Sequence, residues 1–158
     1  MIMEVIRARP PMFEEIAWAF DVVGKPMLFA WGRCIYAPLN KTDVSVHLIR
    51  HEEAHGLRQM QFSYEMIAMA GEPVEKLPNS DENAIRGWWR KYIDDPAFRL
   101  AEEKIGHLAE YRSLLGKASG RVERREALSR VAGKLAAPLY RYRITKDEAR
   151  RFLEDGIC

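Results

Sequence analysis

The chain reads TDVSVHLIRHEEAHGLRQM from residue 42 to residue 60, and this stretch contains three of its four histidines. It contains no proline, and Thr42 and Asp43 at its start are residue types that cap helices. Val44, Leu48 and Ile49 supply apolar positions at helical spacing. The stretch is therefore predicted to form one helix that begins near Thr42.

Three of the four histidines fall on this helix at intervals of four residues: His47, His51 and His55. A rotation of about 100° per residue places His51 and His55 on one face, where two imidazoles can bind one zinc ion. Glu52 lies close enough to flank that ion, whereas Glu53 lies on the far side. The H-E-x-x-H spacing therefore predicts His51 and His55 as zinc ligands and Glu52 as the general base. His47 lies about 12 Å along the axis from His55, too far to share the ion, and is interpreted as a residue of the surrounding cleft.

A catalytic zinc usually takes three protein ligands, so the motif leaves one to be found. The fourth histidine, His107, falls in a helix predicted to start at Pro96, and Glu103, Glu110 and Tyr111 share its face. We expect Glu103 to be the third ligand. His107 is the alternative, and would otherwise hydrogen-bond a ligand. The competing interpretation of this face is an exposed helix whose glutamates pair with neighbouring basic residues.

The fold class expected is α+β, mostly α: a zincin-like helical domain with a small N-terminal hairpin or sheet, spanning residues 1–158 as a single domain. Residues 71–81 begin with a glycine and contain Pro73, Pro78, Asn79 and Ser80, which predicts a loop that can lie over the cleft. The edge of the predicted sheet lies beside the helix that carries the H-E-x-x-H motif, and this edge is expected to bind an extended peptide. The expected elements are a helix over 13–20, strands over 27–31 and 34–37, and helices from about 82, over 96–115, over 122–136 and from 146.

Aromatic residues indicate where the core lies. The helix over 13–20 and the cluster Trp88, Trp89 and Tyr92 are expected to pack around the metal helix. Trp88 and Trp89 point to different sides of a helix, so only one of them is expected to be deeply buried. Glu102 lies about 100° around its helix from Glu103 and is expected to be a surface charge.

Composition excludes several classes of protein. The chain has 158 residues, a net charge of +2 and 47% hydrophobic residues, which suits one globular domain. Basic residues concentrate after Lys117, but no aromatic-interleaved basic patch accompanies them, so a nucleic-acid partner is not expected. Two cysteines make no disulfide framework. The absence of an apolar leader and of a long apolar run predicts a cytoplasmic protein without a signal peptide or a membrane partner.

The chain resembles the zincin metallopeptidases that use a glutamate ligand and, more narrowly, small H-E-x-x-H proteins encoded by bacteriophages. The resemblance covers most of residues 10–152 and rests on residues 35–38 (IYAP), 51–55 (HEEAH) with Gln59, 88–92 (WWRKY), 95–99 (DPAFR) with Glu103, and 144–149 (ITKDEA). It implies a Zn²⁺ cofactor held by His51, His55 and Glu103, with Glu52 as base. The chain departs from the family pattern at Arg33, where an acidic residue is expected nearby, and at Gly106-His107, where a tyrosine is expected nearer.

The function expected from motif and resemblance together is zinc-dependent hydrolysis of amide bonds in a peptide or protein substrate. The oxygen that gains charge during such a reaction needs a hydrogen-bond donor, and His107, Tyr111, Tyr36 and His47 are the candidates. If the chain is phage-encoded, it is expected to act in the host cytoplasm. The alternative is a non-catalytic phage structural or host-interaction protein with a structural zinc site.

Overall fold

The computed structural model describes residues 3–40, 42–70 and 80–157, without the side chains of residues 63–70 and 80. Over this part of the chain the structure is 63% helical with six helices and one three-stranded sheet, which confirms the expected α+β, mostly α, class. In chain order the elements are β1 (Glu4–Ile6), α1 (Phe13–Ala19), β2 (Phe29–Trp31), β3 (Cys34–Tyr36), α2 (Val46–Ala70), α3 (Ser80–Asp94), α4 (Pro96–Leu115), α5 (Arg121–Leu135), a 3₁₀ turn (Pro138–Tyr140) and α6 (Lys146–Asp155).

The sheet has the strand order β1-β3-β2 and lies against α2. Strands β2 and β3 form the predicted antiparallel hairpin around Gly32-Arg33, and Gly32 has a φ of +58°, which favours glycine. The hairpin turn approaches α2 so closely that a Cβ on Gly56 would lie 2.2 Å from the carbonyl oxygen of Gly32. The hairpin is therefore packed directly beside His55. Strand β1, which pairs parallel to β3, is a three-residue strand in a mixed segment that carries no strand pattern.

A first hydrophobic cluster joins α1, the hairpin and α3, as the aromatic pattern predicts. Its buried members are Met12, Phe13, Ile16, Phe20, Val22, Phe29, Trp31, Ile85, Trp88, Trp89 and Tyr92.

The expectation that only one of the two tryptophans is deeply buried is wrong. Trp88 is 1% exposed and Trp89 is 6% exposed. Trp88 stacks on Tyr92 with ring centroids 5.0 Å apart and lies 5.6 Å from the ring of His55. Trp89 turns the other way, where its Nε1 donates to the carbonyl oxygen of Ala30 at 3.2 Å. Helix α3 is therefore covered on one side by α2 and on another by the β2–β3 hairpin.

A second hydrophobic cluster packs α4, α5 and α6 together. Its buried members are Tyr111, Ala127, Leu128, Val131, Ala132, Leu135, Tyr142, Ala149 and Leu153. Side-chain hydrogen bonds cap the first turns of α4 and α6. Asp95 accepts hydrogen bonds from the first backbone N–H groups of α4, and Thr145 forms a capping box with Glu148. These caps set where α4 and α6 begin.

Helix α2 begins later in the sequence than predicted. It begins at Val46 and not near Thr42, because Asp43 accepts hydrogen bonds from Ser45 in a turn ahead of the helix. The loop predicted over 71–81 falls mostly on residues 71–79, which lie outside the described residues, and residues 80–81 already belong to α3. None of the helices in the described ranges has the length and apolar character needed to cross a membrane.

Candidate metal centre

Helices α2 and α4 form the most extensive helix–helix contact described, and their polar faces meet at its centre. Gly106 of α4 lies directly against the imidazole of His51: a Cβ on Gly106 would be 2.7 Å from Nε2 and 2.9 Å from Cδ2 and Cε1. Glycine is therefore the residue that lets α4 come this close. Glu103 and His107, on either side of Gly106 in the sequence, reach the same imidazole from α4.

Four side chains converge here, and all of them are buried. The Nε2 atoms of His51 and His55 lie 3.0 Å apart. Glu103 points its two oxygens in different directions: Oε1 lies 3.3 Å from His55 Nε2, and Oε2 lies 3.3 Å from His107 Nε2 and 3.7 Å from His51 Nε2. Glu103 therefore lies close to both imidazoles of the motif, and its role as the third ligand stays a prediction.

These spacings suit a bound metal ion. Ligands about 2.0–2.1 Å from one tetrahedral ion lie about 3.3 Å from one another. Among the described residues, His51, Glu103 and His107 form a buried group whose ligand atoms all lie within 4.8 Å of one another and which can hold a metal ion. His55 adds a further nitrogen beside two members of that group. Imidazole and carboxylate ligands are compatible with zinc, but the donor atoms alone do not select one metal.

Several polar groups surround this cluster. Tyr92 donates from its hydroxyl to Glu103 Oε1 at 2.7 Å. Glu110, one turn beyond His107 on α4, is fully buried and faces the Nδ1 atoms of both His51 and His107. By contrast, His55 Nδ1 is buried and has no hydrogen-bond partner among the described residues.

The charges of the cluster stabilise one another when no metal is bound. Burial lowers the pKa of His51, with a further effect from His107, to about 4. Burial would also lower the pKa of His107, but hydrogen bonds to Glu103 and Glu110 raise it to about 9. Burial works to raise the pKa of Glu103, and the hydrogen bonds from His107 and His55 outweigh it and hold that pKa well below its usual range. Near neutral pH the metal-free cluster therefore contains an ionised Glu103 carboxylate beside a charged His107 and a neutral His51.

Glu52 lines both cavities at the cluster, which agrees with its expected direction on the helix. Burial and the nearby Glu103 carboxylate raise the pKa of Glu52 to about 8, against the opposing effects of His55 and of a hydrogen bond from the backbone of Ala30. Glu53 is on the other side of the helix, as expected, but it is buried and forms an ion pair with Arg50. It is a structural acid and not a solvated one.

Two cavities meet at the cluster. The inner cavity is lined by aromatic and apolar residues of the first hydrophobic cluster together with His55. The outer cleft is lined by His107, Glu110 and Lys134 and has apolar walls formed by Pro26, Met27, Leu28, Leu48, Ala137 and Leu139. His51, Glu52, Glu103 and Tyr140 line both cavities. A metal at this cluster would thus lie between a closed aromatic side and an open side.

The sheet edge beside the cluster is already occupied at its centre. Strand β2 is the edge strand, and the outward-facing carbonyl of Ala30 accepts from Gln59 Nε2 at 3.0 Å and from Trp89. The N–H of Ala30 donates to Glu52. An extended peptide therefore cannot pair with β2 at Ala30, contrary to the expectation of an open strand edge.

Three predicted residues do not line either cavity. Tyr36 is on β3, where burial raises its pKa and the nearby Cys34, Glu82 and Glu4 raise it further. Tyr111 is in the second hydrophobic cluster. His47 is in the first turn of α2, with Nε2 3.2 Å from Ser45 Oγ.

The expectation that Glu102 is a surface charge is wrong. Glu102 is 1% exposed and pairs with Arg58 of α2 at 3.0 Å. A buried ion pair of this kind cannot be read from one helix, because the charge that compensates it comes from another.

Tyr140 is the residue of the site that sequence patterns miss. It lies on the 3₁₀ turn, lines both cavities, and its carbonyl oxygen accepts from Arg99 Nε at 2.5 Å. Burial and the carboxylates of Glu103 and Glu52 raise its pKa well above the usual range. Its only signal in the sequence is a Pro-Leu-Tyr turn far from the motif, which no spacing rule connects to the metal helix.

Comparison with protein-family models, with curated proteins and with solved structures yields no match for this chain. Its chemistry must therefore be argued from the site itself.

Proposed function

We propose that this protein is a zinc-dependent hydrolase that cleaves amide bonds in peptides or proteins. The observation that carries the proposal is the convergence of both H-E-x-x-H imidazoles with Glu103 of α4, 3.0–3.7 Å apart, at the end of an open cleft. The same cleft contains Glu52, the residue that the motif assigns as base.

His51, His55 and Glu103 are the proposed metal ligands. The two motif imidazoles present the closest pair of nitrogens, and Glu103 Oε1 lies beside His55. His107 is on the cleft side, so this choice leaves the cleft side open for water and substrate. Zinc bound there would supply a Lewis acid toward a carbonyl group and would lower the pKa of water to about 7.

Glu52 and Tyr140 perform the proton and hydrogen-bond chemistry in this proposal. Glu52 accepts the proton of the attacking water as the general base. The same carboxyl then delivers the proton to the leaving nitrogen. Tyr140, which lines the cleft beside Glu52, donates to the carbonyl oxygen as it gains charge.

The cleft suits a peptide segment with an apolar side chain. Its cavity volume is about 290 Å³, which is at the lower end of the range of about 300–1,000 Å³ typical of ligand sites. Most of its walls are aliphatic, which disfavours a charged side chain at that position.

The experiment that tests the proposal measures metal and activity on the same preparation. Elemental analysis of wild-type protein should find about one zinc per chain, with a clear loss in His51→Ala. A peptide library incubated with wild-type protein should then be cleaved, and a chelator should stop cleavage. Equal metal content in both proteins, or cleavage insensitive to the chelator, would contradict the proposal.

A structural zinc site in a non-catalytic phage structural or host-interaction protein is the second candidate. It is favoured by one observation: a fourth protein ligand, His107, lies 3.3 Å from Glu103 Oε2, and structural zinc sites are closed by four protein ligands. His107→Ala distinguishes the two candidates. A closed site would lose zinc as severely as in His51→Ala, whereas the hydrolase would keep its metal.

A further inference from the structure

Glu110 is a buried carboxylate that contacts the site from behind. Its side chain is 1% exposed, and its two oxygens have separate partners. Oε2 lies 3.5 Å from His51 Nδ1 and 3.3 Å from His107 Nδ1. Oε1 lies 2.5 Å from the Nζ of Lys134, which reaches across from α5. One carboxylate thus connects three helices and two imidazoles.

The contacts of Glu110 determine which way the imidazoles present their nitrogens. An ionised carboxylate can only accept hydrogen bonds, so the Nδ1 atoms that face Oε2 carry the protons. Each ring then turns its Nε2 toward Glu103, at 3.7 Å for His51 and 3.3 Å for His107. A histidine that binds a metal through one nitrogen commonly donates from the other to a carboxylate, which sets its tautomer and orientation.

Lys134 holds the carboxylate in the orientation that serves both rings. It engages Oε1 and leaves Oε2 to the imidazoles, and its charge compensates that of Glu110 in the interior. Its own side chain is 40% exposed and lines the outer cleft. The pair therefore extends from the back of the imidazoles to the solvent.

We propose that Glu110, held by Lys134, is the positioning residue of the metal centre, whose single carboxylate fixes His51 so that it presents Nε2 to the metal and His107 so that it presents Nε2 to the ligand Glu103. This inference rests on the proposed metal binding and adds a residue that the motif does not contain. It assigns Glu110 no contact with substrate or metal. Its effect is on how well the imidazoles are oriented before a metal arrives.

The chain offers a closely matched control on the same helix. Glu102 is also a buried glutamate of α4, 1% exposed, and it also pairs with a partly exposed cation of another helix, Arg58. Its described hydrogen bonds go to Arg58 and to no imidazole, although its charge also acts on His55 from a distance. Loss of a buried ion pair is therefore common to both glutamates, whereas contact with the imidazoles belongs to Glu110.

The test measures zinc affinity of the full chain by competition with a chelator of known affinity. Glu110→Gln should weaken zinc binding about 10- to 100-fold, since the amide cannot accept from two N–H groups through one charged oxygen. Glu102→Gln should change zinc binding much less, even where thermal unfolding shows a similar loss of stability. Equal zinc affinity in the two variants would overturn the inference. A wild-type protein that binds no zinc would instead overturn the proposed function.

A second measurement keeps the inference testable if Glu110→Gln does not fold. Nitrogen-15 spectra of the histidine side chains in wild-type protein should show both His51 and His107 protonated at Nδ1. Lys134→Met should disturb these two rings and weaken zinc binding, whereas Arg58→Met should leave both rings unchanged. Protonation of His51 at Nε2 in the wild type, or equal effects of the two methionine variants, would contradict the positioning role.

Discussion

The inner side and the cleft side of the candidate metal centre are held by different kinds of contact. On the inner side, the ring of His55 lies against Trp88, which is 1% exposed, and His55 Nδ1 has no hydrogen-bond partner among the described residues. On the cleft side, His107 faces Glu110, and Lys134 carries that network to solvent. The inner side is packed by aromatic contact and the cleft side is held by hydrogen bonds.

This difference separates stability from chemistry. A side chain packed among buried aromatic rings contributes mainly to the free energy of unfolding, and its replacement leaves a cavity. A side chain in the open cleft meets water and substrate, so its replacement changes rates or affinity more than folding. Substitutions on the two sides should therefore have opposite profiles.

The largest effect is expected at Glu52, where the two sides meet. Glu52→Gln should lower the rate of peptide cleavage about 10²- to 10⁴-fold, because the amide cannot accept the proton. Zinc content should stay near that of wild type. The matched change Glu53→Gln, on the other face of α2, should leave cleavage largely intact. A Glu52→Gln protein as active as wild type would mean that Glu52 is not the base.

Trp88→Ala should be the most destabilising change on the inner side. Removing this fully buried ring is expected to cost about 3–5 kcal/mol of unfolding free energy. Leu139→Ala on the cleft wall, which is only partly buried, should cost about 1 kcal/mol or less. Chemical denaturation of both variants measures the contrast. Similar losses of stability would contradict the separation of the two sides.

Tyr140→Phe should show the opposite profile to Trp88→Ala. If its hydroxyl donates to the developing oxyanion, cleavage should slow about 10²- to 10³-fold while thermal unfolding changes little. Tyr142→Phe is the control, because Tyr142 stacks on Tyr140 but its buried hydroxyl has no partner among the described residues. Equal rates for the two phenylalanine variants would contradict the donor role of Tyr140.

The smallest effect is expected at the helix crossing. Gly106→Ala places a Cβ 2.7 Å from His51 Nε2, so either the ring or α4 must shift, at a cost of about 1–3 kcal/mol. Zinc affinity should fall as well. Gly133→Ala, in α5 with nothing within 4 Å of its Cβ, should stabilise the chain by about 0.5–1 kcal/mol. Denaturation measures the stability of both variants, and chelator competition measures their zinc affinity. Unchanged stability and zinc affinity in Gly106→Ala would contradict the close approach of α4 to His51.

Local signals in the sequence account for much of the fold. Periodic apolar residues and the caps at Asp95 and Thr145 predict α4 and α6 closely, because helix ends depend on hydrogen bonds within a few residues. The turn at Gly32-Arg33 likewise predicts the hairpin. The sequence predicts the start of α2 too early, because Asp43 caps a turn ahead of the helix and not the helix itself.

Within the site, residue spacing is enough to predict which side chains share a helix face: His51 with His55 on α2, and Glu103 with His107 on α4. A constant rotation per residue makes that a local property. The meeting of the two faces is different, because it depends on the close approach of α4 to α2 at Gly106 and on the support of a lysine from α5. The tertiary structure also places Tyr140 at the cleft and buries both tryptophans, because contacts between distant segments depend on how helices pack and not on any spacing within the chain.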